Sequence, residues 1–562
     1  MTTRAPLSKA VAGAATPSYN RFMRVGIGQI NAHVGAIDEN VEAIATMIRQ
    51  ARSEDCALVA FPELAVPGYT PLDLLWRHGF VNACQAGLER LRGEAGPMTV
   101  VVGSVGAEPA QSPMNRADPS AVRDGAATDL CNVAVLLRQG REIGRVKKIH
   151  LPSYDIYHEK RHFTPGPGSE LHTIGGHRFG INVCEDLWVD DGPVDLQASL
   201  GAEWILNVSA SPFYVGKPAI RRKLVRRRAV ENGVGIVYVN LVGAQDDVVF
   251  DGGSFVVNAS GETLFEAPRF EAGLYVVDLE GPAAAVAPDD PLAQMRAAIT
   301  LGIRDYVRKN GRADALLGLS GGVDSAVVAA LAVEALGPDH VFSVYLPSEF
   351  SSDESREDAA AVAHRLGIDH TEIPIDRIHG ALRDALPARA AGLVDENLQP
   401  RARGTLLMAL SNLHGALVLC PANKSEIAVG YNTLYGDTVG ALAPIADLYK
   451  DDVYRLAASF GDAIPERVLR KAPTAELRRN QRDDDDLPPY ATLDPLLRAI
   501  VDRNESRPEL LAAGFAPALV DEILSRYYRN EYKRNQLPLG IKVTPKAFGS
   551  GRRIPITHAY RD

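Results

Sequence analysis

The chain has 562 residues, a formal net charge of −10, 46% hydrophobic and 23% charged residues. That length exceeds a single core and fits two to four domains at about 150 residues each, while the acidic balance excludes a nucleic-acid coat. Five scattered cysteines, Cys56, Cys84, Cys131, Cys184 and Cys420, exclude a disulfide framework and fit a reducing cytoplasm, and no run approaches the ~18 apolar residues of a membrane helix.

Residues 1–22 read as a disordered tail, because their Ala-rich patch is too short and too polar for a signal-peptide core. From Met23 the pattern alternates between strands and helices. A strand is expected at "RVGIGQI", a helix at "IDENVEAIATMIRQARS" with apolar residues at helical spacing, and strands at "CALVAFPEL" and "PMTVVVGSVG". After a polar loop over residues 107–128, further strands are expected at "NVAVLLRQG", "RFGINVCED", "AEWILNVSAS", "GIVYVNLVG", "GGSFVVNASG" and "GLYVVDLEG". The basic string "RRKLVRRRA", residues 221 to 229, spreads its arginines around a helix and reads as packed or subunit-facing. Residues 281–291, rich in Ala, Pro and Asp, read as a linker. Beyond it helix and strand alternate through "PLAQMRAAITLGIRDYVRKNG", "ALLGLS", "VDSAVVAALAVEALG", "HVFSVYLPS", "SREDAAAVAHRLG" and "DHTEIPID", which predicts right-handed crossovers and a parallel sheet. From about Arg478 the chain reads as polar and irregular, with Asp483 to Asp486 as a solvated loop by default or, alternatively, as the shaping element of a lid.

At "GLSGGVDS", Gly318 to Ser325, a strand ends in a glycine-rich turn that feeds a helix. Such a turn presents backbone N–H groups and the positive end of a helix to an anion. Gly321 and Gly322 let the main chain approach phosphates, Ser320 and Ser325 add hydroxyls, and Asp324 has the charge to hold Mg2+. The Lys-Ser/Thr ending of the mononucleotide loop is missing. The string resembles the pyrophosphate loop of the ATP-pyrophosphatases, which cleave ATP to AMP and pyrophosphate to activate a carbonyl oxygen. Within that family "ENLQPRARG", "NKSEIAVGYNTLYGD", "PIADLYKDDVY", "TAELRRNQRDDDDLPPYATLD" and "EYKRNQLPLGIKVTPKAFG" resemble NAD synthetases, over residues 300–562. The resemblance implies that Gly318, Leu319, Ser320, Gly321, Gly322, Val323, Asp324 and Ser325 bind ATP together with Pro421, where relatives often carry Thr. It also implies that Asp324 and Glu426 hold the metal and that Asn397, Glu426 and Lys533 contact deamido-NAD. Two polyanionic substrates require local cations in an acidic protein, and Lys424, Lys450 and Lys533 are the candidates.

Cys184 ends the run "RFGINVC" just before "EDLW", Glu63 ends a strand held by prolines in "VAFPELAVPGY", and Lys148 follows another strand in "GRVKKIHLPSYDIYHEKRHF". These three resemble the Glu-Lys-Cys triad of nitrilase-like carbon-nitrogen hydrolases, over residues 23 to about 278. The chemistry is coherent: a thiolate attacks an amide carbon, Glu63 takes its proton, and Lys148 with the Glu185 N–H receives the oxyanion. The resemblance further implies that Glu159 orients the lysine and that glutamine meets Tyr154, Glu185, Ser211 and Lys217. Strand alternation puts Lys147 on the opposite, solvated face.

Together the resemblances imply a nitrilase-like α-β-β-α sandwich at 23–280, a linker at 281–291, and a Rossmann-like parallel-sheet ATP-pyrophosphatase domain at 292–562. They imply a glutamine-dependent NAD synthetase, with glutamine, ATP, deamido-NAD and Mg2+ as small-molecule partners. A cytoplasmic homo-oligomer, dimer or octamer, is expected, with neither nucleic acid nor membrane as partner.

Overall fold

A computed structural model of the chain describes residues 23–109, 128–387 and 391–560; the expected tail and most of the 107–128 loop lie outside them. Two six-stranded sheets occupy the first half. One has the spatial order Gly273–Asp278, Arg24–Gln29, Leu58–Ala60, Thr99–Pro109, Thr128–Arg138, Arg141–Lys147; the other runs Thr263–Glu266, Phe255–Val257, Gly235–Asn240, Trp204–Ser209, His177–Val183, Leu171–Ile174. The two-residue period of a strand sorts their side chains. Along Thr128–Arg138, Ala134 and Leu136 meet Ile181, Val183 and Leu206 of the second sheet. Val133, Val135 and Leu137 instead pack with Ile44, Leu88 and Leu91 of helices Ile37–Ser53 and His78–Glu94. On the far side Ile236 and Tyr238 meet helices Pro193–Ser199 and Lys217–Asn232 through Val194, Val225 and Ala229. This is the expected α-β-β-α sandwich.

Helix Lys217–Asn232 carries the arginine string and spends it within the fold. Arg221 is buried against Asp251, Arg222 pairs with Glu266 and Asp289, Arg226 donates to Thr263, Arg227 meets Asp190, and buried Arg228 reaches Asp195.

The second half is built on a parallel sheet in the order Asp369–Glu372, Val341–Tyr345, Ala315–Gly318, Leu417–Val418. Ala315 and Leu317 face helices Pro291–Lys309, Val323–Leu336 and Asp353–Leu366. Leu316 faces Ala402 and Leu407 of helix Leu393–His414.

Two expectations are corrected here. The region beyond Arg478 is helical, with Tyr490–Leu497, Arg507–Ala512 and Pro517–Arg529 enclosing a core of Leu493, Leu496, Leu497, Leu510, Val520, Ile523 and Leu524. Prolines and charges between the apolar residues of the first two obscured their three- and four-residue spacing. The acidic run departs from the expected solvated loop at one residue: Asp483–Asp485 form a single turn in which Asp484 and Asp485 stay exposed, while Asp483 is buried and accepts a hydrogen bond from the Tyr490 hydroxyl at 3.1 Å.

Helix Pro291–Lys309 starts on an Asp290 cap, whose carboxylate accepts from the N–H groups of Leu292 and Ala293 at 3.0 Å. Its far end fastens the two halves. Asp305 accepts from the Asn31 amide and the Ala244 N–H at 2.8 Å each, and Lys309 donates to Asn31 Oδ1, the Ala32 carbonyl and the Ala244 carbonyl at 2.8–3.1 Å.

Candidate active sites

Glu63 lies just beyond strand Leu58–Ala60, on a turn that rests against the backbone of Gly103. A Cβ at Gly103 would stand on the Pro62 carbonyl and the Leu64 N–H, so the close approach requires glycine. Lys148 Nζ donates to Glu63 Oε1 at 2.6 Å and to Glu159 Oε1 at 2.8 Å, and all three side chains are buried. Glu63 also accepts from Asn132 Nδ2 at 2.6 Å and the Ala210 N–H at 3.0 Å, and Glu159 accepts from the Tyr69 hydroxyl at 2.9 Å. Glu159 thus braces Lys148 from inside the fold. Lys147, expected in solvent, pairs with Glu108 at 2.6 Å.

Cys184 opens the turn Cys184–Leu187 with φ +46°, a strained left-handed conformation for a residue with a side chain. Asp186 fixes that elbow by accepting from the N–H groups of Val183, Ile149 and His150, which ties the Cys184 turn to the residues just after Lys148. Burial, then the negative charge of Glu63, pushes the Cys184 thiol well above its ordinary range, with Lys148 pulling the other way. Burial works against the Lys148 ammonium, but Glu159 and Glu63 outweigh it and hold the lysine charged. Glu159 is pushed up to about 7 by burial, against the pull of Lys148. The cluster is therefore a neutral thiol beside a fixed cation and a hydrogen-bonded carboxylate.

The other candidates surround it. The Tyr154 hydroxyl donates to the Glu185 carboxylate at 2.9 Å, and both Tyr154 and Glu185 act electrostatically on Cys184 or its neighbours. Lys217 Nζ lies 4.0 Å from the Trp188 ring centre, and burial, with Arg221 nearby, lowers its pKa to about 8. Ser211 is buried, its N–H donating to Asn240 Oδ1 and its carbonyl accepting from Arg221. Asn132, Tyr69 and Asp186 are structural contributors the sequence reading missed. Asn132 does leave a signal, as the polar residue in the otherwise apolar strand "LCNVAVLL".

In the second half a cavity of about 290 Å³ lies beyond the carboxyl end of Ala315–Gly318, lined by Gly318, Leu319, Ser320 and Gly322 to Ser325, with Pro421 opposite. Helix Val323–Leu336 points its N-terminus at it. Gly321, expected to approach phosphates, does not line the cavity; its φ is +79° and a Cβ there would stand on the Ser355 carbonyl. Lys450 Nζ donates to Asp324 at 2.7 Å and Glu426 at 3.2 Å. Burial, opposed by Lys450 and reinforced by Asp324 and Asp483, pushes Glu426 up to about 8. Lys424 is not available to a ligand. It is fully buried, donating to Thr544 and the Lys546 carbonyl and pairing with Asp447 and Asp502 at 3.0 Å, because its side chain turns back from the helix start into the 544–546 segment.

A second, more polar cavity of about 950 Å³ adjoins the first, and Tyr431, Asn432, Asp437, Ala475 and Leu477 line both. Asn397 and Lys533 line the second cavity, while Glu426, grouped with them in the sequence reading, lines the first. Lys533 spends two donors on the carbonyls of Gly430 and Asn432 at 2.7 Å.

Comparisons with known proteins match both halves. The carbon-nitrogen hydrolase family model covers residues 24–287 and the NAD synthase model residues 295–537. A glutamine-dependent NAD(+) synthetase of Xylella fastidiosa (strain 9a5c) is 40% identical over 562 residues, 96% of this chain and all of its own. One from Thermotoga maritima is 36% identical, covering 96% of this chain and 99% of its own. Among solved structures, the glutamine-dependent NAD+ synthetase of Acinetobacter baumannii in complex with ADP superposes with a TM-score of 0.75 at 35% identity, covering 95% of this chain and 98% of that one. That of Cytophaga hutchinsonii, at 22% identity, shares the fold with a TM-score of 0.81 over 96% and 98% of the two chains.

Proposed function

The chain belongs to the glutamine-dependent NAD(+) synthetase family, and from that membership we propose that residues 23–280 hydrolyse glutamine to ammonia while residues 292–562 adenylate deamido-NAD with ATP and amidate it to NAD. The observation that carries this reading is the pair of chemistries in one fastened chain: a buried Glu63–Lys148–Cys184 cluster, and a phosphate cradle that opens directly onto a second polar cavity.

In the first site Cys184 rests as a thiol, so attack on the glutamine amide carbon requires transfer of its proton to Glu63 as the C–S bond forms. Lys148 and the Glu185 N–H receive the oxyanion; loss of one such donor typically costs ~100–1000-fold in rate. Collapse expels ammonia with a proton returned from Glu63, and water, deprotonated by Glu63, then releases glutamate from the thioester. Glu159 keeps Lys148 charged and aimed. Tyr154, Ser211 and Lys217 bind and orient glutamine.

In the second site Gly318 to Ser325 cradle ATP, and the nicotinate carboxylate attacks the α-phosphorus as pyrophosphate leaves. Ammonia then attacks the acyl-adenylate, releasing AMP and a proton. Among the described residues no three of His, Cys, Asp or Glu gather as a self-sufficient metal site. Asp324 and Glu426 nonetheless fit magnesium, which takes one or two carboxylates and completes its shell with phosphates and water. Glu426's pKa is raised by burial, and further by Asp324 and Asp483, against the pull of Lys450, so a second cation would favour its charged form. Mg2+ entering with the nucleotide would be held by these two and would neutralise phosphate charge.

We also read the chain as a cytoplasmic homo-oligomer: its five cysteines are free, and Leu393, Val394 and Leu413 expose apolar surface along helix Leu393–His414. The test of the division of labour is NAD formation from deamido-NAD, ATP and magnesium, with glutamine or with ammonium chloride. Cys184→Ala is expected to lose synthesis from glutamine and keep synthesis from ammonium. A folded variant that loses both would refute the two-site reading.

A further inference from the structure

The Gly430–Thr433 turn, at the seam of the two cavities, is held from every side. The Tyr431 N–H donates to the Glu426 carbonyl at 2.9 Å, Lys533 grips the Gly430 and Asn432 carbonyls, and the Thr433 N–H donates to Asp437 and its hydroxyl to Asn397, each at 2.8 Å. Asn530 donates to the Val429 carbonyl at 2.9 Å and packs against Gly430, where a Cβ would strike its amide. Within this fixed turn the Asn432 side chain is the exception. Its amide nitrogen and oxygen are both shielded from water, and neither makes a hydrogen bond among the described residues, although the residue lines both cavities.

Leaving both ends of a buried amide unpaired disfavours folding. A turn pinned by four backbone contacts that nevertheless presents such a group is preorganised for a ligand that completes the pairing. Resting on the proposed reaction, we infer that Asn432 recognises the carboxyl group being amidated, as the acceptor reaches from the second cavity into the ATP cradle. The chemistry matches both ends of the reaction: Nδ2 donates to the carboxylate oxygen of the acceptor, and Oδ1 accepts an N–H of the amide product. Lys533 and Asn397 then act as positioning residues, holding the turn that aims this amide.

The test compares wild type with Asn432→Leu and Asn432→Asp, assayed with ammonium chloride so that glutamine plays no part. In Asn432→Leu, kcat/KM for deamido-NAD is expected to fall about 10- to 100-fold, the range of one or two buried hydrogen bonds to a charged group. The melting temperature of the ligand-free protein should hold or rise, since an unpaired amide has been removed. Asn432→Asp keeps the shape but opposes a carboxylate with a carboxylate, and is expected to fall further. The KM for ATP should stay at the wild-type value in both. Wild-type kcat/KM for deamido-NAD in either variant would overturn the assignment while leaving the proposed function intact. Absence of NAD formation by the wild type would overturn both.

Discussion

Lys217, proposed above to bind glutamine, carries an ammonium that burial holds to about 8, against an ordinary 10.5. As pH rises through 8 the lysine loses its charge, so the KM for glutamine is expected to climb above that pH, with no such limb when ammonium supplies the nitrogen. Lys217→Arg, charged throughout this range, should move the limb to higher pH; an unchanged profile would remove Lys217 from glutamine binding. Stability runs the other way. Between about 8 and 10.5 the unfolded chain holds more protons than the folded one, so this lysine makes folding more favourable as pH rises. The candidate reacting residues were legible, because Glu63, Lys148 and Cys184 each follow a strand and sit in recognisable strings. What they lean on was not. The Ala210 N–H reaches Glu63 from the other sheet across 147 residues of sequence, and Asn132 reaches it from within the same sheet across 69, separations fixed by strand order and sheet stacking rather than by local pattern.

At the scale of elements, the turn into helix Val323–Leu336 depends on Gly321, whose left-handed backbone and contact with the Ser355 carbonyl exclude any side chain. Gly321→Ala adds about 1–3 kcal/mol of backbone strain to that clash and displaces the cradle. NAD synthesis is expected to fail with either nitrogen donor while glutamate release from glutamine persists. Retained synthesis would show that the loop tolerates a different path. Elements with a clean period were readable: the helix expected at "IDENVEAIATMIRQARS" is Ile37–Ser53, Pro291–Lys309 and Asp353–Leu366 fall where their apolar stripes put them, and Val323–Leu336, apolar all round, falls where its alanine-rich run does. Tyr490–Leu497 and Arg507–Ala512 escaped because each is short and carries proline, whereas Pro517–Arg529 keeps a regular stripe at Val520, Ile523, Leu524 and Tyr527 that was overlooked.

At the scale of the whole molecule, Lys309 and Asp305 hold the ammonia-producing half against the ammonia-consuming half. Lys309→Met removes three hydrogen bonds at that joint. Each half-reaction is expected to persist, but glutamate released per NAD formed should rise as ammonia escapes, measured by assaying both products together; an unchanged ratio would exclude this joint from the transfer. The paired arginines of helix Lys217–Asn232 have a further result. With Arg221, Arg222, Arg227 and Arg228 of its densest positive run paired to carboxylates of the same chain, the molecule presents an anionic surface to approaching dinucleotide, and the second cavity itself carries six carboxylates against four cations. Diffusional encounter with an anionic substrate is then slowed by long-range repulsion, which mobile ions screen over about 8–10 Å at ordinary ionic strength. Capture of deamido-NAD at subsaturating concentration should accordingly speed up as inert salt is added at constant magnesium, the reverse of the salt response of an enzyme that draws its anions in.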